Sequence, residues 1–135
     1  MSPNHASLKI LIVDDEAAVA DSLQLILSGR GYESRAVYSA EQAIELLADW
    51  QPDLAIIDVM LPQMNGIELA GILKGNYPTC RVLLISGHPD TSDLLSGAHA
   101  RGSSFEILAK PLHPTFIIET VSGLLPHSHN GAKPN

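Results

Sequence analysis

The chain alternates between short unbroken hydrophobic runs and longer stretches with hydrophobic residues at every third or fourth position. The clearest run is Leu54–Asp58, in which four apolar residues lead into one carboxylate. A run without polar alternation is typical of a strand that is buried on both faces, as in a parallel sheet. We therefore expect Asp58 to emerge at the carboxyl edge of the sheet, where open α/β sheets bind their ligands.

The same pattern recurs along the chain and predicts five strands that alternate with five helices. The strands are predicted at residues 8–13, 33–37, 54–58, 81–86 and 105–109. The helices begin near residues 16, 40, 67, 90 and 114, and the fourth is the weakest because it contains few apolar residues. Such alternation with short connections predicts a single α/β domain, whose parallel sheet is covered on both faces.

Local signals predict where the helices begin and end. We expect a left-handed Gly31 after the first helix, and a capping box formed by Ser39 and Gln42 at the second. Pro114 suits the first turn of the final helix. The buried stripe of that helix is predicted to comprise Phe116, Ile117, Val121, Leu124 and Leu125.

Composition limits the class of protein. With 135 residues, 45% of them hydrophobic, we expect one globular domain over residues 8–125, with loose tails at 1–7 and 126–135. The net charge of -7 argues against a nucleic-acid partner, and no apolar run is long enough for a membrane span. The single cysteine, Cys80, excludes an internal disulfide and fits a reducing, cytoplasmic compartment.

Polar residues follow four of the predicted strands and share one edge of the sheet. They are Asp14 and Asp15 after the first strand, Asp58 after the third, Ser86 after the fourth and Lys110 after the fifth. Three neighbouring carboxylates repel one another, so their pKa values rise unless cations compensate. Lys110 supplies one positive charge, and an ion bound by oxygen ligands would supply more.

The ligand types at this edge favour Mg²⁺ or Mn²⁺. No histidine or cysteine lies at the edge positions after the first, third and fifth strands, which disfavours zinc. A carboxylate beside a metal, a lysine and a hydroxyl can act as a nucleophile toward phosphorus. The residues therefore indicate aspartyl-phosphate chemistry at Asp58.

Four motifs in this order resemble the receiver domain of two-component response regulators, the CheY-like family. The matching residues are Ile12 to Glu16, Ile57 to Pro62 with Gly66, Ile85 to Gly87, and Lys110-Pro111. The resemblance covers roughly residues 8–125. It implies a doubly wound fold with a five-stranded sheet in the order 2-1-3-4-5, in a bacterial signalling phosphoprotein and not in an enzyme that acts on other substrates.

The resemblance also implies a role for each residue of the site. Asp58 would accept a phosphoryl group from a phosphohistidine on a sensor histidine kinase or phosphotransfer protein. Asp15 would bind Mg²⁺ directly and Asp14 largely through water, with Asp58 and the Met60 carbonyl as the other protein ligands. Lys110 and Ser86 would each bind a phosphoryl oxygen, and the Lys110-Pro111 bond would be cis.

Signal output is expected from the face formed by the fourth helix, fifth strand and fifth helix, which would bind a downstream protein. The family usually has Tyr or Phe three residues before the lysine, whereas this chain has Ile107. Either Ile107 is simply a strand residue and the Ser86 loop carries the coupling, or Phe105 partly substitutes. Met60 and His88 are expected to flank the phosphoryl group. Either Met60 slows its hydrolysis or it is simply a tolerated loop side chain, and His88 is expected to be a solvated loop histidine more often than an acid/base group.

Three other functions share parts of this pattern. A receiver-like interaction module that is never phosphorylated would normally lack part of the acidic set or the lysine, and this chain has both. A phosphatase of the haloacid dehalogenase type needs an aspartate where Met60 stands. A flavodoxin-type carrier needs Ser, Thr and Gly after the first strand, where this chain has Asp14-Asp15-Glu16. A stand-alone receiver and a receiver attached to an output domain both remain open.

Overall fold

The computed structural model describes residues 8–87, 106–110 and 112–125, and within them a five-stranded parallel sheet. The order β2-β1-β3-β4-β5 confirms the predicted doubly wound topology. The strands are β1 (Lys9–Val13), β2 (Glu33–Val37), β3 (Leu54–Asp58), β4 (Arg81–Ser86) and β5 (Glu106–Ala109). The described helices are α1 (Ala17–Ser28), α2 (Ala40–Leu47), α3 (Gly66–Asn76) and α4 (Pro114–Leu124).

Several predictions lie outside the described residues. They concern the helix expected at 90–100, both tails, His88, Phe105 and the Lys110-Pro111 bond. Among the helices that are described, none is long and apolar enough to cross a membrane.

Two hydrophobic layers sandwich the sheet, because successive strand residues point to opposite faces. In β1, Ile10 and Ile12 face α1 and α4, whereas Leu11 and Val13 face α2 and α3. Every residue of β3 is buried, so both layers meet at this central strand. Its register sets Asp58 opposite Ile85 of β4, at the carboxyl edge.

The helix ends confirm some local predictions and correct others. Gly31 has φ 94° and Pro114 lies in the first turn of α4, both as expected. Ser39 caps α2 by accepting the Gln42 N–H, but the Gln42 side chain accepts from the Tyr38 N–H instead of closing a capping box on Ser39. A complete capping box occurs at α3, between Asn65 and Glu68.

The predicted stripe of α4 was partly wrong. Ile117, Val121 and Leu125 are buried, but Phe116 is 50% exposed. Positions 117, 121 and 125 recur every four residues and lie on one face, whereas residue 116 is rotated by about 100° from Ile117. Phe116 therefore presents its ring on the outer surface of the domain.

Trp50 and Cys80 are structural residues. The Trp50 indole N–H donates to Glu33 at 2.9 Å, and the Arg35 guanidinium lies 4.8 Å from its ring centroid. Cys80 is buried, and this burial raises the pKa of its thiol to about 11. The thiol is therefore protonated at neutral pH and a poor nucleophile.

Candidate functional site

Backbone hydrogen bonds at the carboxyl edge of the sheet join the ends of β3, β4 and β5. The Val59 N–H donates to Ile85 at 2.9 Å, and the Lys110 N–H donates to Ser86 at 2.8 Å. The Gly66 N–H donates to Val59 at 2.8 Å, which brings the start of α3 against the end of β3. Because these elements are fixed to one another, the side chains that follow each strand share one site.

Lys110 lies at the centre of this site, within 3.3 Å of three carboxylates. Its Nζ is 2.7 Å from Glu16 Oε1, 2.9 Å from Asp14 Oδ2 and 3.3 Å from Asp58 Oδ2. Asp14 and Asp58 are buried, whereas Glu16 is exposed. One cation therefore faces three anions, two of which are largely buried.

The remaining oxygens of the buried acids bind backbone groups. Asp14 Oδ1 accepts the Glu16 N–H at 2.9 Å, and Asp58 Oδ1 accepts the Met60 N–H at 3.1 Å. Asp14 Oδ2 is buried without a hydrogen bond in the described part of the chain, although it forms the ion pair with Lys110. The buried charge of Asp14 therefore depends on Lys110 for its compensation.

Burial and the neighbouring charges shift the pKa values of Asp58 and Lys110. Burial raises the pKa of Asp58 to about 6, and the Asp14 carboxylate acts in the same direction. The Met60 N–H and Lys110 oppose this shift but do not cancel it. Burial also opposes the charge of Lys110, but the carboxylates of Glu16, Asp14 and Asp58 outweigh it and raise the pKa of the ammonium.

The structure brings together most of the residues that the sequence indicated. Asp14, Asp58 and Lys110 are in contact, and Ser86 is buried at the end of β4. Asp15 is exposed and lines the same cavity, but it does not belong to the close group of carboxylates. Ile107 packs partly buried against the core layer that contains Leu84, its partner in β4.

Glu16 is the residue that sequence reasoning missed. Its carboxylate, with those of Asp14 and Asp58, offers oxygens that lie within 4.8 Å of one another. The sequence predicts Glu16 to begin α1 and assigns its side chain no place in the site; the residue does occupy the N-cap position. The signal was present in the third acid of the Asp14-Asp15-Glu16 run, because a residue at the start of α1 stays at the sheet edge.

A cavity of about 760 Å³ opens beside these side chains. Its lining includes Asp58, Met60, Gly87 and Lys110, together with apolar residues such as Val19 and Leu112. Met60 is 42% exposed. The cavity gives a reactant access to the Asp58 carboxylate, whose neighbours otherwise bury it.

The donor set fits a divalent cation. Three carboxylates face a single ammonium, Asp14 Oδ2 has no hydrogen bond in the described residues, and the pKa of Asp58 is raised. The carboxylates outnumber the ammonium, and carboxylate oxygens are the ligands that hard cations prefer. The acidic cluster can therefore bind a metal ion.

Comparison with known proteins agrees with the fold. Residues 10–122 match the sequence model of the response regulator receiver domain. The DNA-binding response regulator MtrA of Mycolicibacterium paratuberculosis is 29% identical over 117 residues, which are 87% of this chain and 51% of MtrA. The chain thus spans about half the length of the curated relatives it matches.

Solved structures show the same architecture. A signal receiver domain of an HD domain-containing protein from Pseudomonas fluorescens Pf-5 is 30% identical, with a TM-score of 0.80 over 88% of this chain and 94% of that one. A CheY-like receiver domain protein from Methanospirillum hungatei JF-1 is 26% identical, with a TM-score of 0.79 over 87% and 93%. The chain therefore belongs to the response regulator receiver domain family, the signalling domains of two-component systems.

Proposed function

We propose that this chain is a phosphoacceptor in a two-component phosphorelay in the cytoplasm, and that Asp58 receives the phosphoryl group from a phosphohistidine. The observation that carries the proposal is the position of Asp58. Its carboxylate is buried at the end of β3, 3.3 Å from the Lys110 ammonium, and borders an open cavity. A nucleophile and a cation for the transferred charge thus lie side by side.

In the proposed step, an Asp58 carboxylate oxygen attacks the phosphorus of the phosphohistidine. A P–O bond forms as the P–N bond breaks, and the leaving ring nitrogen takes up a proton. Lys110 then binds a phosphoryl oxygen, which neutralises part of its charge. Asp58 reacts as the carboxylate, so a pKa of about 6 leaves most of it reactive at neutral pH.

We propose Mg²⁺, or Mn²⁺, as the metal that accompanies this step. Asp14, Asp15, Asp58 and the Met60 carbonyl are the proposed protein ligands, and Glu16 lies close enough to add its charge. When bound, the ion would neutralise negative charge on the phosphoryl oxygens. The acidic excess around Lys110 supports a requirement for such a cation.

Ser86 is the proposed link between the site and the rest of the domain. It is buried at the end of β4, and its carbonyl accepts the Lys110 N–H at 2.8 Å. A Ser86 hydroxyl that moves to bind a phosphoryl oxygen would therefore displace backbone that is tied to β5. We propose that this movement shifts the equilibrium between two conformations of a surface that includes β5 and α4. A downstream protein would bind this surface.

The alternative is a receiver-like interaction module without phosphorylation. Incubation with phosphoramidate or acetyl phosphate and Mg²⁺, followed by intact-mass spectrometry, distinguishes the two. We expect the wild type to gain the mass of one phosphoryl group, and hydroxylamine to remove it because an acyl phosphate is cleaved by that nucleophile. The gain should disappear in Asp58→Asn and persist in Asp49→Asn, an exposed aspartate after α2. No gain in the wild type would favour the inert module.

A second measurement tests the kinase partner. A panel of histidine kinases, each labelled on its histidine, is mixed with the chain, and transfer of the label is followed over time. We expect one kinase to transfer far faster than the others, and Asp58→Asn to abolish that transfer. Uniformly slow transfer from every kinase, despite acceptance from the small donors, would contradict a dedicated kinase within the panel.

A further inference from the structure

Glu16 makes the shortest polar contact of Lys110. Its Oε1 lies 2.7 Å from Nζ, compared with 2.9 Å for Asp14 and 3.3 Å for Asp58. The backbone of Glu16 is held in place, because its N–H donates to Asp14 Oδ1 at 2.9 Å and its carbonyl accepts the Val19 and Ala20 N–H groups. The start of α1 therefore fixes the point from which this side chain reaches the lysine.

The three carboxylates already engage the N–H donors of Lys110. An ammonium has three N–H donors. Nζ donates to Glu16 and to Asp58, and its ion pair with Asp14 occupies a third direction. A phosphoryl oxygen can consequently bind Lys110 only if one of these contacts is given up.

Burial indicates which carboxylate can move. The Asp14 side chain is fully buried, and the Asp58 side chain is 6% exposed and would itself carry the phosphoryl group. The Glu16 side chain is 63% exposed. Water can therefore replace Lys110 as a partner of the Glu16 carboxylate at a small cost in free energy, because exposed ion pairs contribute little net stability.

We propose that Glu16 is a positioning residue that restrains Lys110 in the unphosphorylated site, and that it must yield the ammonium to a phosphoryl oxygen during phosphoryl transfer. This inference rests on the function proposed above. The exchange involves no proton transfer, because one N–H···O contact to Glu16 is replaced by one to the phosphoryl group. Glu16 and the phosphoryl group thus compete for the same cation.

The competition predicts that loss of the Glu16 contact speeds phosphorylation. At saturating Mg²⁺, with phosphoramidate as the donor, we expect Asp58 to be phosphorylated about three- to tenfold faster in Glu16→Gln. Glu16→Asp keeps the charge but is one methylene shorter, so the loss of contact should also speed the reaction. Glu45→Gln removes an exposed charge on α2 and should match the wild type. A wild-type rate in Glu16→Asp would contradict a role through direct contact.

The lysine itself provides a readout that does not depend on activity. In nitrogen-edited NMR spectra of the unphosphorylated protein, we expect the Lys110 ammonium protons to exchange with water faster in Glu16→Gln and Glu16→Asp than in the wild type. Unchanged exchange in both variants would overturn the proposal. If the wild type accepts no phosphoryl group, the proposed function fails, whereas this measurement still decides whether Glu16 holds Lys110.

Calorimetric titration with Mg²⁺ tests the rival role of Glu16. A direct metal ligand would weaken Mg²⁺ binding tenfold or more when replaced by Gln, and phosphorylation would slow instead of accelerating. That combination would overturn the proposal. A smaller loss of Mg²⁺ affinity together with faster phosphorylation supports competition for Lys110.

Discussion

Gly66 packs so tightly on Asp58 that a Cβ at residue 66 would overlap the Asp58 carbonyl oxygen. The same glycine donates its N–H to Val59 at 2.8 Å and begins α3. This contact connects the end of the acceptor strand to the helix that follows the loop 59–65. Residue 66 must therefore lack a side chain for the backbone at Asp58 to keep its observed conformation.

Gly66→Ala is expected to destabilise the protein by about 2 kcal/mol, because backbone must shift to accommodate the methyl group. It should also slow phosphorylation, since the shift moves Asp58. Chemical denaturation and the phosphoramidate assay measure the two effects. Gly71→Ala is the matched control in α3, where a Cβ meets nothing within 4 Å. It should stabilise the helix by about 0.5–1 kcal/mol, and a similar result for Gly66→Ala would contradict the close contact.

Asp58→Asn is expected to raise the melting temperature of the metal-free protein at neutral pH. The pKa of Asp58 is raised to about 6 from the ordinary 3.8, so the folded state binds this proton more tightly than the unfolded state. The resulting stabilisation is present below pH 3.8 and is lost as the pH rises through about 6. The advantage of Asn should therefore shrink between pH 6 and pH 4.

Thermal denaturation across this pH range, without and with Mg²⁺, checks the prediction. Asp49→Asn, which removes an exposed charge, should show no comparable pH dependence relative to the wild type. Mg²⁺ should stabilise the wild type more than Asp58→Asn, because the variant lacks one anionic ligand. An equal or lower melting temperature for Asp58→Asn at neutral pH would contradict the charge excess.

Lys110→Gln is expected to lower stability by about 2–4 kcal/mol at neutral pH, because the buried carboxylates of Asp14 and Asp58 lose their cation. Mg²⁺ should raise the free energy of unfolding of this variant more than that of the wild type, because the Lys110 ammonium no longer repels the ion. Lys74→Gln is the control, because Lys74 lies exposed in the last turn of α3. It should lower the free energy of unfolding by about 0.5 kcal/mol. Urea titrations at several Mg²⁺ concentrations measure these effects, and a Mg²⁺ response unchanged by Lys110→Gln would be evidence against a shared site.

Met60→Asn is expected to shorten the lifetime of the aspartyl phosphate by about threefold or more. The Met60 side chain is 42% exposed at the cavity that leads to Asp58, where an apolar group hinders an attacking water and an amide can bind one. Loss of the phosphorylated species after removal of the donor gives the rate. Leu25→Asn replaces a 76% exposed leucine outside that lining and should leave the lifetime unchanged. An unaltered lifetime in Met60→Asn would refute the shielding role.

The fold, and the edge of the sheet at which the candidate site lies, can be predicted from the sequence alone. Unbroken hydrophobic runs such as Leu54–Asp58 specify strands buried on both faces, and the alternation with helical periods leaves few topologies. The carboxyl ends of parallel strands meet at one edge, so Asp14, Asp58, Ser86 and Lys110 were expected together. β2 and β4 span the residues predicted for them, because the residue types that favour a strand are adjacent in the sequence.

Two features depend on tertiary contacts instead: which acid contacts the lysine, and which apolar residues of α4 are buried. Glu16 and Lys110 are 94 residues apart in sequence, and their contact depends on the Asp14 hydrogen bond that orients the start of α1. Phe116 satisfies the hydrophobic pattern, yet the rotation of α4 against the sheet exposes it. Such contacts depend on how the helices and strands pack against one another, because side-chain direction and helix rotation are set by neighbours that are distant in sequence.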